Sequence, residues 1–441
     1  MLFFAACLPD IAHAFNIVKV RSHAGSPPVE AVDRMVLVKF KASVVSAQKA
    51  AVHSSIGASV KGELPDIGWV SVELPPGMSV ETGLAIYRQK PDVLEAVPNT
   101  VYRPSTVPND TLLTSQYGLS AIDAFRGWNY ETGATNKVTI GIIDTGIDGK
   151  HSDLSDKISD ASSFFNPVTG ARSAEPVPTD CLGHGTGVAG IAAATGNNAL
   201  GIAGVSWGAE LLSLRVFDDV DGCDETDTPA IAAAIAYAVD LATTPAAGTG
   251  PMVLNLSLGG NDSTCNPVLV SAVNLALSNN VVVVAAAGND RVVECPAKIP
   301  GVIAVGATDA LNNVASFSAL GSSLTVTAPG VGIVTTKNND GYEYSATGTS
   351  FASPHVAGLA ALLRSAVPLK TNSEIVAIIR NSADDLGPEG FDTSYGWGKI
   401  DILSALSFGI TGKIAKFQVD LEQKARAYPN PFNVSVNRLL F

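Results

Sequence analysis

The chain has 441 residues, 46% of them hydrophobic and 16% charged, and its length allows about three domains. A chain this apolar and without a regular repeat is neither intrinsically disordered, nor collagen-like, nor a coiled coil. The formal charge of −13 leaves no basic surface for nucleic acid or anionic lipid, so we expect neither partner. The 41 glycines and only 6% aromatic residues are typical of layered α/β proteins, in which tight strand-to-helix turns use glycine.

The first residues predict an export signal. Residues 2–8 are apolar, and Ala12-His13-Ala14 has the small-x-small pattern of a secretory cleavage site, although no basic segment precedes it. We therefore expect residues 1–14 to be a signal peptide and the protein to be secreted, with a short buried helix as the alternative. No other apolar run reaches the roughly 18 residues that span a bilayer, so we expect no membrane association.

Export would place the cysteines in an oxidising compartment. Cys7 lies in the predicted signal, and the remaining even number fits two disulfide bonds among Cys181, Cys223, Cys265 and Cys295. Spacing alone leaves three connectivities open. No Cys-x-x-Cys pair occurs in the sequence, which disfavours a zinc ribbon.

A linker and a small α/β unit are expected after the signal. Residues 15–33 contain Ser26-Pro27-Pro28, which indicates a linker. Residues 34–104 then form the small unit. Its predicted elements are a strand at 35–40, a helix at 46–56, a strand at 69–74, a helix at 80–87 and an extended segment at 93–101. This order predicts a split βαβ, or ferredoxin-like, domain.

A larger α/β domain is expected at residues 105–408. Short runs rich in Val, Ile and Leu alternate there with helical patterns, which predicts a mostly parallel central sheet with helices on both faces. The predicted strands cover 138–143, 211–216, 252–256, 281–285 and 302–305, and the predicted helices cover 187–194, 228–241, 269–277, 353–365 and 372–381. Residues 409–441 are expected to be a tail that either packs on the core or begins a longer domain.

Three candidate catalytic side chains lie where an α/β sheet places its active site. Asp144 follows the strand at 138–143, and His184 and Ser350 each lie in a turn that begins a helix. A serine hydroxyl needs an imidazole to accept its proton and a carboxylate to orient that imidazole, and these residues supply all three groups. Asn289 follows another predicted strand, where its amide and the helix N-terminus at Ser350 can stabilise an oxyanion.

Four motifs resemble, in order and context, the signatures of the subtilisin-like serine proteases. They are Asp144-Thr-Gly, His184-Gly-Thr, Ala286-Ala-Gly-Asn289 and Gly348-Thr-Ser350-Phe-Ala-Ser-Pro-His355. The resemblance covers about residues 110–406 and implies a subtilisin-like endopeptidase with the triad Asp144, His184 and Ser350 and with Asn289 in the oxyanion hole. The sequence departs from the family at Gly187, where a second histidine is usual, and this bears on packing rather than on catalysis.

The resemblance also implies how a substrate binds. An extended peptide would pair with residues 255–260 as an added strand. The pocket for the residue before the cleaved bond would be lined by Ser257, Leu258, Gly259, Ala286, Ala287 and Gly288. Residues 290–294 lead to the floor of this pocket and form a shorter segment than in subtilisin, and Glu294 there would favour a basic residue.

The unit at residues 34–104 resembles the inhibitory propeptide of the family. This implies that it assists the slow folding of a non-local sheet, occupies the active site and is cut off between Tyr102 and Pro108. An independent binding module is the alternative reading of this unit.

Residues 189–204 resemble the calcium loop of thermitase-like members of the family. The resemblance implies a structural Ca²⁺ bound by side chains of Asp110, Asp153 and Asn198 and by carbonyls of Thr195, Leu200 and Ile202. Two carboxylates that meet near a loop repel each other unless a cation lies between them. A metal-free loop held by salt bridges is the alternative.

The family also bears on the cysteines and on the tail. Secreted relatives bridge comparable loops, which favours the pairs Cys181–Cys223 and Cys265–Cys295. Residues 427–433 resemble the opening of C-terminal sorting domains used in type IX secretion, with an incomplete domain of another kind as the alternative.

Two other functions fit parts of the sequence less well. Gly185-Thr-Gly187-Val-Ala-Gly190 is formally the GxGxxG fingerprint of dinucleotide-binding oxidoreductases, but no strand directly precedes it. A binding protein without catalysis is disfavoured because all four catalytic positions are filled. The sequence thus predicts a secreted, calcium-stabilised serine endopeptidase that is made as an autoprocessed preproenzyme and acts as a monomer on proteins or peptides.

Overall fold

The computed structural model describes residues 17–21, 28–101, 107–164, 171–218, 222–244, 247–260 and 263–411. Within the chain, two compact units are divided between Pro104 and Ser105. The predicted signal peptide, most of the expected cleavage segment and nearly all of the predicted tail lie outside the described residues.

The N-terminal unit is an antiparallel sheet with two helices. Its elements are β1 (Ile17–Arg21), β2 (Pro28–Phe40), α1 (Ser46–Ile56), β3 (Ser59–Leu64), β4 (Trp69–Glu73), α2 (Val80–Arg88) and β5 (Val93–Thr100). The strands run in the order β1-β2-β4-β3, and β5 also pairs with β2. From β2 onward, the order β-α-β-β-α-β is that of the expected split βαβ domain.

The core of this unit lies on one face of the sheet. Val36 and Val38 of β2 and Val70 and Val72 of β4 alternate along their strands, so their side chains share a face. All four are buried in one cluster with Leu84 of α2. The apolar alternation predicted from residue 35 onward therefore reflects burial against the helices.

The predicted linker at residues 15–33 is wrong, because this segment contributes strands. β1 pairs with the beginning of β2 in antiparallel register, from Ile17 opposite Val32 to Arg21 opposite Pro28. Proline is tolerated as the first residue of a strand, and Pro28 occupies that position. β3 was also not expected, and its side chains are all exposed, so it lacks apolar alternation.

The C-terminal unit has a central sheet of eight strands. The strands are β6 (Thr139–Asp144), β7 (Ile158–Ser163), β8 (Ser173–Ala174), β9 (Glu210–Arg215), β10 (Met252–Leu256), β11 (Val282–Ala286), β12 (Ile303–Thr308) and β13 (Val326–Pro329). Their order is β13-β12-β11-β10-β6-β9-β7-β8, and every pair is parallel except β7 with β8. A separate hairpin is formed by β14 (Ile333–Lys337) and β15 (Gly341–Ala346).

Helices cover both faces of this sheet. They are α3 (Tyr117–Ala121), α4 (Ala124–Gly127), α5 (His184–Ala193), α6 (Thr228–Thr243), α7 (Pro267–Ser278), α8 (Thr349–Ala366), α9 (Asn372–Ser382) and α10 (Ile402–Thr411). One apolar core contains Ile140 and Ile142 of β6 with residues of α5 and α8, and the other contains Ile143 and Leu254 with residues of α6 and α7. The predicted fold class is confirmed.

The predicted elements of this unit differ from the observed ones mainly at their ends. α5 begins at His184 and α8 at Thr349, each a few residues earlier than the apolar pattern indicates. Gly185, Gly187 and Pro354 are poor helix formers and conceal these first turns. Among the described helices, none is long and apolar enough to cross a lipid bilayer.

Candidate active site

The predicted catalytic residues lie at the carboxyl ends of neighbouring parallel strands. β6 ends at Asp144, β10 leads into Ser257 and β11 leads toward Asn289, and β10 lies between the other two strands. α5 begins with His184, and Ser350 is the second residue of α8. Open α/β sheets place their sites at this edge.

Asp144 and His184 are in direct contact. Asp144 Oδ1 lies 2.7 Å from His184 Nδ1 and accepts the Thr145 N–H at 2.7 Å, so the nearly fully buried carboxylate is held in place. Burial alone would lower the pKa of His184. The charge and hydrogen bond of Asp144 and the charge of Asp180 together outweigh burial and raise this pKa above its ordinary value. His184 is therefore a stronger proton acceptor than a free histidine.

Asp180 fastens the turn that carries His184 to the end of β6. Its Oδ1 accepts hydrogen bonds from the N–H groups of Leu182 and Gly183 and from the Thr145 hydroxyl, and its Oδ2 accepts from the N–H and hydroxyl of Thr186. These bonds occupy N–H groups at the start of α5 that have no partner within the helix. Sequence reasoning missed this role, although an aspartate just before a glycine-rich helix start was a usable signal.

Ser350 lies beside the residues that follow β10. Its Oγ donates to the Ser257 carbonyl at 3.3 Å, and its own carbonyl accepts from Ser257 Oγ at 2.7 Å. The rings of His184 and Phe351 have centroids 5.4 Å apart, so α5 and α8 approach each other here. Among the described hydrogen bonds, none joins Ser350 Oγ to His184. A serine hydroxyl rotates among staggered positions, and such catalytic bonds often tighten only with substrate bound.

The side-chain amide of Asn289 is oriented by Thr349. Asn289 Oδ1 accepts the Thr349 N–H and hydroxyl, both at 3.0 Å. Because a backbone N–H can only donate, these bonds identify the oxygen and leave Nδ2 as the donor of the amide. A side chain on Gly348 would lie 3.7 Å from both Asn289 Nδ2 and the Ser350 nitrogen. The glycine therefore leaves a space that both donors border.

A buried polar network contacts Ser350 and was not predicted. Ser353 Oγ donates to Asn255 Oδ1 at 2.7 Å, and Asn255 Nδ2 donates to Ser257 Oγ at 2.9 Å. Ser257 Oγ in turn donates to the Ser350 carbonyl, so the network runs from α8 through β10 and back to α8. Asn255 and Ser353 are fully buried, and their bonds fix the start of α8 against the sheet.

The residues predicted to line a pocket follow two adjacent strands. Ser257, Leu258 and Gly259 extend β10, whereas Ala286, Ala287 and Gly288 end or extend β11. Gly288 also donates its N–H to the Thr349 hydroxyl at 3.2 Å. Both segments thus contact the first turn of α8, and they can form two walls beside Ser350.

Comparison with known proteins identifies the family. The profile described as "Subtilase family" matches residues 135–398, and that described as "Fervidolysin N-terminal prodomain" matches residues 20–99. The chain belongs to the subtilase family. This subtilase is a serine protease, hence a hydrolase, with an N-terminal prodomain. The prodomain match begins within the segment predicted as a linker, in agreement with β1.

Individual relatives agree with this assignment. A thermophilic serine proteinase from Bacillus sp. (strain AK1) is 38% identical over 379 residues, which are 85% of this chain and 87% of the relative. Thermitase from Thermoactinomyces vulgaris is 38% identical over 304 residues, 68% of this chain and 99% of the relative. An extracellular protease from Xanthomonas campestris pv. campestris is 32% identical over 359 residues, 73% of this chain and 60% of the relative.

The subtilase brings the predicted calcium ligands together around one loop. Asp110 Oδ2 accepts the Asn197 N–H at 2.8 Å, and Asp153 accepts from the Asn198 amide at 2.9 Å and from the Ile202 N–H at 3.0 Å. Burial, and to a smaller extent the charge of Asp153, raise the pKa of Asp110 despite its backbone hydrogen bonds. The two carboxylates therefore repel each other in a poorly solvated place.

Unused oxygen atoms face no donor at this loop. Asp110 Oδ1 is buried without a hydrogen-bond partner among the described residues. The carbonyls of Thr195, Leu200 and Ile202 likewise accept no described hydrogen bond. In the part of the chain that is described, no three His, Cys, Asp or Glu side chains converge on one point. A cation here would consequently rely on carbonyl and amide oxygens as well as on two carboxylates, a donor set that suits Ca²⁺.

The cysteines form the two pairs that family resemblance favours. Cys181 is joined to Cys223 with a Cα–Cα distance of 6.0 Å, and Cys265 is joined to Cys295 with a distance of 5.5 Å. Cys181 lies three residues before His184, so the first bridge is close in sequence to the predicted catalytic histidine. The second bridge connects the segment after β10 to the segment after β11.

Proposed function

We propose that this subtilase is a secreted endopeptidase that cleaves peptide bonds through an acyl-enzyme on Ser350. The observation that carries the proposal is the 2.7 Å contact of Asp144 with His184 at the strand ends, beside a serine in the first turn of α8. A carboxylate, an imidazole and a hydroxyl in this order are the parts of a serine-protease triad.

In the proposed reaction, Ser350 Oγ attacks the carbonyl carbon of the substrate while its proton passes to His184 Nε2. Asp144 keeps the other ring nitrogen protonated and stabilises the imidazolium that forms. His184 then gives the proton to the leaving amine, and the C–N bond breaks. A water molecule, deprotonated by His184, then attacks the acyl carbon and the ester bond to Ser350 Oγ breaks. The new carboxyl terminus leaves, and His184 returns the proton to Ser350 Oγ.

The negative charge that develops on the substrate oxygen is stabilised by two donors. Asn289 Nδ2 and the Ser350 N–H border the space beside Gly348, and the start of α8 adds its positive dipole end. Because Thr349 holds the oxygen of the Asn289 amide, the amide need not reorganise during the reaction. This arrangement favours the transition state over the bound substrate.

A serine-directed fluorophosphonate tests this proposal directly. We expect it to attach to Ser350 alone, as identified by mass spectrometry of the peptides, and to abolish casein hydrolysis. The labelling rate should fall as the pH is lowered through a value above 6.5, because protonation of His184, whose pKa is raised, removes the base. Attachment to another residue, or full reactivity well below pH 6, would contradict the proposed triad.

We further propose that the protein is a preproenzyme that processes itself and then acts as a monomer. The prodomain match and the independent core of the N-terminal unit support a propeptide that serves as an intramolecular inhibitor until it is cut off. Protein and peptide chains are the proposed substrates. An Xanthomonas relative described as extracellular supports secretion.

We propose, in addition, that the loop at residues 195–202 holds a structural Ca²⁺. Asp110, Asp153 and Asn198 would bind it through their side chains and Thr195, Leu200 and Ile202 through their carbonyls. The buried, unpartnered Asp110 Oδ1 and the three unused carbonyls support this proposal. When bound, the ion would supply the positive charge that relieves repulsion between the two carboxylates.

Removal of calcium is expected to lower the melting temperature of the mature enzyme by about 5 to 10 °C, since the ion binds only the folded state. The measurement uses enzyme inactivated with fluorophosphonate, so that self-digestion does not contribute, with and without a chelator. Asp110→Ala should melt lower and respond little to the chelator. Asp240→Ala, which removes an exposed carboxylate on α6, serves as the control and should respond like the wild type. An equal chelator response in Asp110→Ala would contradict the site.

A further inference from the structure

Glu294 places a carboxylate between two glycines of the proposed substrate pocket. A Cβ atom on Gly259 would lie 2.2 Å from Glu294 Oε2, and a Cβ atom on Gly288 would lie 2.7 Å from Glu294 Cδ and 2.9 Å from Oε1. The side chain of Glu294 therefore reaches both walls of the pocket. Neither position accepts a larger residue while the carboxylate occupies this place.

The backbone of Glu294 is fixed to both walls. Its N–H donates to the Ala287 carbonyl at 2.8 Å. The next residue, Cys295, exchanges two backbone hydrogen bonds with Gly260, at 3.0 and 3.1 Å, and is bonded to Cys265. Glu294 is thus held as a bridge between the segment after β10 and the segment after β11, and its position does not depend on a loose surface loop.

The two segments that Glu294 connects lie next to the proposed nucleophile, Ser350. Ser257, two residues before Gly259, exchanges hydrogen bonds with Ser350, and Gly288 donates to the Thr349 hydroxyl. The Glu294 carboxylate therefore lies between two segments that both bond to the first turn of α8, which contains Ser350. A substrate side chain that enters between these segments would meet Glu294.

The Glu294 carboxylate accepts no hydrogen bond from the residues that the structure describes, and the side chain is half-buried. Burial, followed by the negative charge of Asp290, raises the pKa of Glu294, and the opposing effect of Lys298 is smaller. A partly buried carboxylate without a donor is stabilised by any cation that comes within reach.

We propose that Glu294 makes this subtilase select a lysine or arginine residue immediately before the cleaved bond. This inference rests on the proposed function, since it assigns the substrate class of the same site. A long side chain with a terminal cation can place its alkyl part along the glycine walls and its charge on the carboxylate. An acidic side chain would be repelled, and an apolar one would leave the carboxylate desolvated and unpaired.

The test compares peptide substrates that differ only in the residue before the cleaved bond, lysine in one and norleucine in the other. Norleucine matches the length of the lysine stem but has no charge. We expect kcat/KM of the wild-type enzyme to favour lysine by at least about tenfold, which corresponds to roughly 1.4 kcal/mol. Glu294→Gln keeps the shape of the side chain and should bring the ratio close to one. Fluorophosphonate titration counts the active sites in each preparation.

Asp240→Asn is the matched control, because it removes one exposed negative charge on α6, outside the two walls. Its lysine-to-norleucine ratio should stay within about threefold of the wild type, since an exposed charge is screened by solvent and salt. The inference is overturned if the wild type cleaves both peptides equally well, a result that needs no variant to fold, or if Glu294→Gln keeps the preference. Cleavage of neither peptide by enzyme that reacts with fluorophosphonate would instead count against the proposed endopeptidase function.

Discussion

Replacing Ser350 with alanine is expected to lower kcat/KM for peptide substrates by at least about 10⁴-fold. Among the described residues of the site, the Asp144 carboxylate is nearly fully buried and hydrogen-bonded to His184, so it is not placed to attack the carbonyl in place of Ser350. The only described hydrogen bond of the Ser350 hydroxyl is the one to the Ser257 carbonyl, so the variant should fold. Hydrolysis of casein and of a single peptide by purified protein measures the loss.

The same substitution should also stop self-processing. A full-length product that retains the prodomain would accumulate when the Ser350→Ala chain is produced alone, whereas added wild-type enzyme would cut it. Ser278→Ala, an exposed serine on α7, is the matched control and should be processed and active like the wild type. Wild-type activity in the Ser350→Ala protein would rule out the proposed nucleophile.

Replacing Asn289 with alanine is expected to lower kcat by about 100- to 1,000-fold, the loss measured in subtilisin when its oxyanion-hole asparagine is removed. KM should change little, because the charge that the amide stabilises develops only in the transition state. The reason lies in the orientation of the amide, whose oxygen is held by Thr349 and whose nitrogen borders the space near Ser350. Steady-state kinetics on one peptide separate the two constants.

The control for this variant is Asn274→Ala, an exposed asparagine on α7. Its kinetic constants should match those of the wild type. The melting temperature of Asn289→Ala must also be measured, because Thr349 loses an acceptor for its N–H. Loss of activity that follows unfolding, or a rise in KM with kcat unchanged, would show that Asn289 does not stabilise the transition state.

Local patterns predicted those parts of the fold in which burial decides the residue types. β6, β10 and β11 are buried on both faces and therefore appear as continuous apolar runs. β3 is exposed on both faces and β15 is mostly half-buried, and both strands are held by backbone pairing to a neighbour. Their residue types carry little information about that pairing, so the sequence pattern did not predict these strands.

The candidate site likewise contains residues that local sequence motifs mark and residues that they do not. Asp144, His184, Ser350 and Asn289 each stand at a strand end or helix start, which their motifs mark. The roles of Asn255 and Ser353 depend on a hydrogen bond between residues 98 positions apart, and no local pattern encodes such a contact. The position of Asp180 just before a glycine-rich helix start was a local signal for its role. Only the structure, however, shows that its side chain joins α5 to the end of β6.

The two disulfide bonds affect how the enzyme withstands cleavage by other molecules of the same enzyme. Cys181–Cys223 encloses α5 and the loop at residues 195–202, and Cys265–Cys295 encloses α7 and β11. In solution, one protease molecule can be cleaved by another. A single cut inside either enclosed segment leaves the two fragments covalently joined through the disulfide bond. Such a cut therefore releases no part of the chain from the enzyme.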